Sequence, residues 1–297
     1  MAGPALDAFS AQDLARWAEW YRGNVERGVP KAKLREVLEQ NGLSEDLVAG
    51  HQVAPAAPAG SSPLRYRRFS LESVAALSRE DLYHRFYRPN VPVVIEDVSI
   101  GEALLWTPES LWGALSDIGV QVIQGEQRVA MRFSDLCREL LDGPRSPLRL
   151  SPQSRVLATA AADACWREIQ PDARYLRQGP ASGAQLHLAG GGARSQLAYD
   201  PQVALHCQIY GETRFVLIPP QETERLLPER TLSPIDPWRP DLDLAPLFAE
   251  VLRCDITLGP AQALLVPVGY WHATRCEEAS IALSFRGFVY PNQAIPS

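Results

Sequence analysis

The C-terminal third of the chain is written in alternation. Over 185–189, Leu186 and Leu188 fall on one face of an extended segment, and Gln185, His187 and Ala189 on the other. Over 203–210, Val203, Leu205, Cys207 and Ile209 oppose Ala204, His206, Gln208 and Tyr210. Over 280–286, Ile281, Leu283 and Phe285 oppose Ser280, Ala282, Ser284 and Arg286. A period of two sends successive side chains to opposite faces, so each segment has an apolar face and a face of small or polar residues. The polar faces hold His and Gln rather than Lys and Glu, which suits an inner wall around a polar ligand better than a solvated surface. Further strands are predicted over 184–189, 195–200, 213–218 and 263–266, with turns at Gly190-Gly191-Gly192 and Gly211-Glu212. Many short strands with no long helix between them point to an all-β barrel or jelly roll.

Upstream the period lengthens. Residues 10–48 read as helices. Ser10 with Asp13 forms a capping box ahead of Leu14, Trp17 and Trp20. Gly28-Val29-Pro30 breaks the pattern, and Pro30 starts a second helix carrying Leu34, Val37 and Leu38, closed by Asn41-Gly42. Val53 to Pro63 is rich in Ala, Pro, Gly and Ser and reads as a linker. Leu71, Val74 and Leu77 predict a short helix, and Ser78 with Asp81 caps another through Tyr83 and Phe86. Pro92 to Ile95 predicts a strand, and 106–115 a helix with Trp106 and Trp112 as packing aromatics. The Pro-rich segment 221–248 reads as an insertion of the kind that walls a site. The expected organisation is a helical segment over 1–50, a linker over 51–65 and one β-rich domain over 66–297.

Composition changes this picture mainly by exclusion. The net charge is -6 and no basic stripe is present, so a nucleic-acid partner is not expected. No apolar run is long enough to span a membrane, and Met1 to Leu14 lacks the basic-then-apolar order of a signal peptide. The five cysteines are odd in number and contain no CxxC pair, which argues against a disulfide framework and a thiolate metal site. A reducing cytoplasm is the expected compartment. Cys207 alternates onto the apolar face and reads as core.

Several phrases carry a more specific signal. Asn90-Val-Pro-Val-Val-Ile95 resembles the entry strand of a known family, and Asp200 lies in a segment resembling that family's strand with a His-x-Asp motif. Cys207-Gln-Ile-Tyr-Gly211, followed by Arg214-Phe-Val-Leu-Ile-Pro-Pro220, resembles the same family's central hairpin, and Val266-Pro-Val-Gly-Tyr-Trp-His272 resembles the segment that delivers its distal histidine. Together these resemble the JmjC-like cupin (cupin_8) family of Fe(II)- and 2-oxoglutarate-dependent oxygenases, the group that includes the asparaginyl hydroxylase of hypoxia-inducible factor. The resemblance covers roughly 66–290 and is strongest after 184. It implies an all-β core, a double-stranded β-helix of the cupin or jelly-roll type, with N-terminal and flanking helices. It also implies an iron site of two histidines and one carboxylate with open positions for cosubstrate and oxygen.

On that resemblance Asp200 matches the carboxylate and His272 the distal histidine, the two residues expected to carry catalysis. The first histidine is missing, because two residues before Asp200 stands Ala198. The lysine that grips the far carboxylate of 2-oxoglutarate is replaced by Thr213. Either His206 or His187, both inward by parity, is available to join Asp200 and His272 as a metal ligand. Arg286 resembles the last-strand arginine that binds the cosubstrate carboxylate elsewhere in the superfamily, and its guanidinium suits that task. Ser195 and Tyr210 add hydroxyls. The structural alternative has Arg286 pair with an acid such as Asp200 and fill the place of iron.

Three readings follow. The first is an oxygenase with a rearranged metal site, using Fe(II) and 2-oxoglutarate on a peptide, a protein side chain or a small metabolite. The second is a metal-dependent cupin enzyme that does not use 2-oxoglutarate. The third is a non-catalytic module that binds a partner or small ligand. A homodimer through residues 10–48 is open in all three.

Overall fold

The computed structural model describes residues 31–49, 66–125, 127–142 and 146–291, together with Leu14, Trp17, Ala18, Trp20, Tyr21, Asn24 and Val25. The expected Ser10–Asp13 box, the break at 28–30 and the linker over 51–65 lie outside the described residues. Two compact units are present, one of residues up to Tyr66 with Trp238–Val251, the other of Arg67–Pro237 with the chain from Leu252 onward.

In the first unit a helix over Lys31–Gln40 buries Leu34 and Leu38, four residues apart and so on one face. They pack with Ala18, Tyr21, Leu43 and Val48. Asn41 and Gly42 turn the chain, Gly42 with a φ of 75°. A short helix over Glu45–Ala49 follows. Within the same unit the Tyr66 ring meets Phe248 edge-on.

The second unit is the β structure. Its strands are β1 (Arg67–Arg68), β2 (Glu72–Val74), β3 (Val93–Ile95), β4 (Gly119–Gln124), β5 (Gln127–Arg132), β6 (Leu148–Leu150), β7 (Gln185–Ala189), β8 (Ala198–Tyr199), β9 (Ala204–Tyr210), β10 (Thr213–Ile218), β11 (Leu252–Leu258), β12 (Ala263–Val266), β13 (Trp271–Arg275) and β14 (Ser280–Phe285). They form a nine-stranded sheet in the order β2-β3-β12-β9-β14-β7-β6-β4-β5 and a five-stranded sheet in the order β1-β11-β10-β13-β8. The inner faces of the two sheets meet: His206 of β9 lies 5.6 Å from Phe215 of β10 and 5.9 Å from His272 of β13, ring centre to ring centre. This is the double-stranded β-helix of a cupin.

The alternation read from the sequence explains how the large sheet is held. Leu205, Cys207 and Ile209 of β9, Ile281, Leu283 and Phe285 of β14, and Leu186 and Leu188 of β7 all join one core. Leu111 and Leu115 from the helix Pro108–Leu115, and Phe133, Leu136 and Leu140 from the helix Phe133–Asp142, belong to the same core. Burying one such large side chain stabilises the fold by about 1.5–3 kcal/mol, so this outer face anchors the sheet. A smaller apolar cluster of Val94, Phe215, Leu217, Cys254, Leu258, Leu264 and Val266 fills part of the space between the sheets. The polar inner positions occupy the rest.

Some local expectations are corrected. Leu71 to Leu77 is not a helix, because Glu72–Val74 is recruited as a parallel partner of β3. The Ser78 cap is present, with the Asp81 amide donating to Ser78 Oγ at 3.0 Å, but the helix then widens into a π-helical stretch over Leu82–Tyr87. The segment expected to be extended over 195–200 forms a strand only at Ala198–Tyr199. Strands β4, β5, β6, β11 and β13 were not read as strands from the sequence. No helix among the described residues is long and apolar enough to cross a membrane.

The β9–β10 hairpin turns at Gly211, whose φ is 63°. A Cβ there would press into the carbonyl oxygen of Ala279. Both the left-handed backbone and the close approach require glycine. Gly211→Ala is therefore expected to lower stability by more than about 1 kcal/mol. A reduced urea midpoint at an unchanged m-value is the expected result, and an unchanged midpoint would show that the turn accommodates a side chain.

Candidate functional site

The inner faces of β7, β9 and β14 deliver the polar residues to one cavity of about 430 Å³. His187 stands in β7 opposite Ala282 of β14, and His206 in β9 opposite Ser284 of β14. His272 comes from β13 and faces Ala198 of β8 across the small sheet. His187 and His206 lie 5.7 Å apart, and His206 and His272 5.9 Å, ring centre to ring centre, so the three imidazoles form a row with His206 in the middle. His187 Nε2 is 2.8 Å from Ser284 Oγ. His272 Nδ1 is 3.2 Å from the Tyr270 carbonyl oxygen. His206 Nε2 is shielded from solvent and has no hydrogen-bond partner among the described residues.

Asp200 follows β8, and Arg286 follows β14. Arg286 Nη2 donates to Asp200 Oδ2 at 2.7 Å, and Arg286 Nη1 donates to Gln185 Oε1 at 3.2 Å. The carboxylate expected to hold a metal is thus held by a guanidinium. Thr213 and Ser195 also line the cavity. Thr213 Oγ1 is 2.8 Å from Ser280 Oγ, and Gln208 Nε2 donates to the same Ser280 oxygen at 2.9 Å. Ser195 Oγ accepts from the Thr274 amide at 2.8 Å. Tyr210 is not brought to the cavity, and its side chain is exposed. The register of β9 against β14 slips by one residue between Ile281 and Ala282, so Tyr210 falls opposite Ile281 while Gln208 stays opposite Ala282. A bulge of this kind ends the alternation on which the parity argument rested.

Two charged cavity residues escaped the sequence reading. Arg149 is the middle residue of β6, between the buried Leu148 and Leu150. Arg128 of β5 and Arg149 of β6 flank Ile123 of β4, one on each side. The signal was the Leu-Arg-Leu triplet, whose alternation aims the arginine away from the core. Three residues are too few to be read as a strand without their neighbours.

The residues present do not fit an iron centre. Such a centre needs two imidazoles and a carboxylate converging on one point. Here Asp200 is engaged by Arg286, Ala198 offers a methyl group opposite His272, and His187 is bonded to Ser284. Among the described residues no three His, Cys, Asp or Glu side chains are grouped to hold a metal ion.

Burial sets the charge state of His187 and His206. It pushes the His187 imidazole down to about 4, helped next by Arg286, and holds His206 well below the ordinary histidine value. Both rings are neutral at neutral pH and offer a lone pair or an N–H to whatever shares the cavity.

Residues 79–285 match the cupin-like domain family. Among curated proteins, the chain is 33% identical over 103 residues to Jumonji C domain-containing protein 5 of Drosophila melanogaster, a match covering 33% of this chain and 26% of that protein. It is 32% identical over 99 residues to lysine-specific demethylase 8 of Xenopus tropicalis, covering 32% and 22%. It is 38% identical over 72 residues to human HSPB1-associated protein 1, covering 22% and 15%. The chain thus spans about a quarter or less of the length of the curated relatives it matches.

Neutral burial of His187 and His206 has a pH signature. Unfolded imidazoles take up protons as pH falls through about 6.5 while the folded ones do not, so acid favours the unfolded state. Stability is expected to fall below that pH, and the part due to His187 to level off once pH drops below about 4. Urea midpoints between pH ~7.5 and ~5 measure the slope, and His206→Asn is expected to flatten it. A wild-type midpoint independent of pH across this window would mean that the rings are not held neutral.

Proposed function

The chain belongs to the cupin-like domain family, and from that premise we propose that its barrel is a ligand-binding module that does not run iron- and 2-oxoglutarate-dependent oxidation at Asp200 and His272. The observation that carries this reading is the ion pair between Arg286 and Asp200. The guanidinium engages the carboxylate in a charge-assisted hydrogen bond and so competes with a metal ion for it. Two departures from the family pattern support the same reading. Ala198 supplies no ligand where a histidine is expected. Thr213 supplies no charge where a lysine is expected, and its hydroxyl is committed to Ser280. What remains is a polar cavity with imidazoles, amides, hydroxyls and guanidiniums, of a size that suits a small ligand or a short peptide segment.

A second reading keeps the oxygenase. It is favoured by the unpartnered His206 Nε2, an acceptor or donor still to be used in the middle of the histidine row. On this reading Asp200, His272 and one of His206 or His187 would have to rearrange around Fe(II), with Arg286 released to hold 2-oxoglutarate.

Anaerobic titration of metal-free protein with Fe(II), with and without 2-oxoglutarate, separates the two. The binding-module reading expects no stoichiometric iron and no visible charge-transfer band. One iron per chain with that band would overturn it in favour of the oxygenase. Ala198→His combined with Arg286→Gln is expected to gain metal binding that the wild type lacks, because it restores the missing imidazole and frees Asp200.

A further inference from the structure

The cavity holds more positive charge than its own residues answer. Three guanidiniums line it, from Arg128, Arg149 and Arg286, and Asp200 is its one carboxylate. Asp200 is taken by Arg286 at 2.7 Å. The adjoining recess shares Arg128 and Arg149 and adds Asp236, which pairs with Arg194 at 3.0 Å. Neither nearby carboxylate is paired with Arg149.

Arg149 is the better placed of the two remaining cations. Its Nε is shielded from solvent and has no hydrogen-bond partner among the described residues. Burial, and then the charge of Arg128, pull its pKa below the ordinary arginine value. Its β6 position is paired with Ala189 of β7, and Ala189 with Ser280 of β14, so one register row leads from Arg149 to the hydroxyls at the centre of the barrel. Arg128 is exposed and stands at the mouth, one strand beyond Ile123. A shielded guanidinium donor without an acceptor is costly, and an anion from outside would satisfy it.

We propose that this cavity binds a small organic dianion, with a carboxylate or phosphate group seated on Arg149 and Arg128 and its body lying along His187 and Gln185. The anionic group is held from β5 and β6, away from Asp200 and His272, so binding needs neither a metal nor release of the Arg286 pair. The inference deepens the binding-module reading by naming its ligand class, and rests on that reading only in treating binding as the end point.

The test is calorimetric titration of the full chain, in metal-free buffer at low salt, with succinate and with glycerol 3-phosphate. Glycerol and inorganic phosphate serve as comparisons. Binding of one organic anion per chain is expected, tighter than either comparison. Binding by succinate alone would assign a carboxylate ligand, and by glycerol 3-phosphate alone a phosphate ester, and either supports the site. Arg149→Gln should weaken affinity by about tenfold or more, Arg149→Lys should retain part of it, and Arg138→Gln on the surface should leave it unchanged. If Arg149→Gln does not fold, the Arg149→Lys comparison and Arg128→Gln carry the test. No binding of either anion, or equal loss in Arg138→Gln, would overturn the proposal. Iron binding with a 2-oxoglutarate band would sink the binding-module reading while leaving an Arg149-dependent anion site standing. Absence of both iron and anion binding would sink this inference alone.

Discussion

The barrel depends on the two-faced character of β7, β9 and β14. On their outer faces Leu186, Leu188, Leu205, Cys207, Leu283 and Phe285 are locked into one core with the flanking helices. Because a strand alternates strictly, fixing the outer face fixes the inner one. His187, His206, Gln208, Ser280 and Ser284 are held inside by the apolar side chains on the opposite face of the same strands. A one-residue slip would turn the histidines into the core and the leucines into the cavity, and neither set would be satisfied there. The precision of the site is therefore a property of the apolar layer behind it.

Charge balance inside the barrel follows from that geometry. An isolated carboxylate between two sheets is unfavourable unless a positive group is near. Arg286 leaves β14 immediately after Phe285 and Asp200 leaves β8 immediately after Tyr199, and the two meet at 2.7 Å. The pair is partly open to water, with about 28% of one side chain and 29% of the other accessible, so its contribution to stability is modest. Its larger effect is chemical, because it commits the one carboxylate of the cavity. His187 and His206, kept neutral by burial, add hydrogen-bonding capacity without adding charge.

How much of this was legible in the sequence depends on length and on register. The long alternating runs of β7, β9 and β14 revealed both their faces, and with them the inward placement of His187 and His206. Alternation failed at Tyr210, where a bulge opposite Ile281 and Ala282 changes the count, and a bulge is a pairing event that one strand alone does not encode. Glu72–Val74 carries helix-like spacing but is recruited by β3, a tertiary effect that overrides a weak local pattern. Arg149 lies in a strand of three residues, which becomes a strand only between β4 and β7. The Arg286–Asp200 pair joins residues 86 positions apart, so sequence could offer it only as one alternative.

The features that depart from the family pattern are connected. Without a histidine at 198 the site offers Asp200 fewer partners for a shared cation, and Arg286 supplies a positive group in its place. With Thr213 bonded to Ser280, the far end of the cavity has no lysine charge, while Arg149 and Arg128 bring charge in from β6 and β5. Two polar atoms shielded from solvent and left unpartnered, His206 Nε2 and Arg149 Nε, line this one cavity. Buried polar groups in folded proteins are nearly always satisfied, and those that are not tend to mark places where a ligand completes the structure. A barrel that had merely lost its chemistry would be expected to fill such positions with apolar side chains, since that substitution is commonly neutral or stabilising. The presence of a guanidinium and an imidazole with open bonding capacity in the same space therefore argues for a cavity suited to binding.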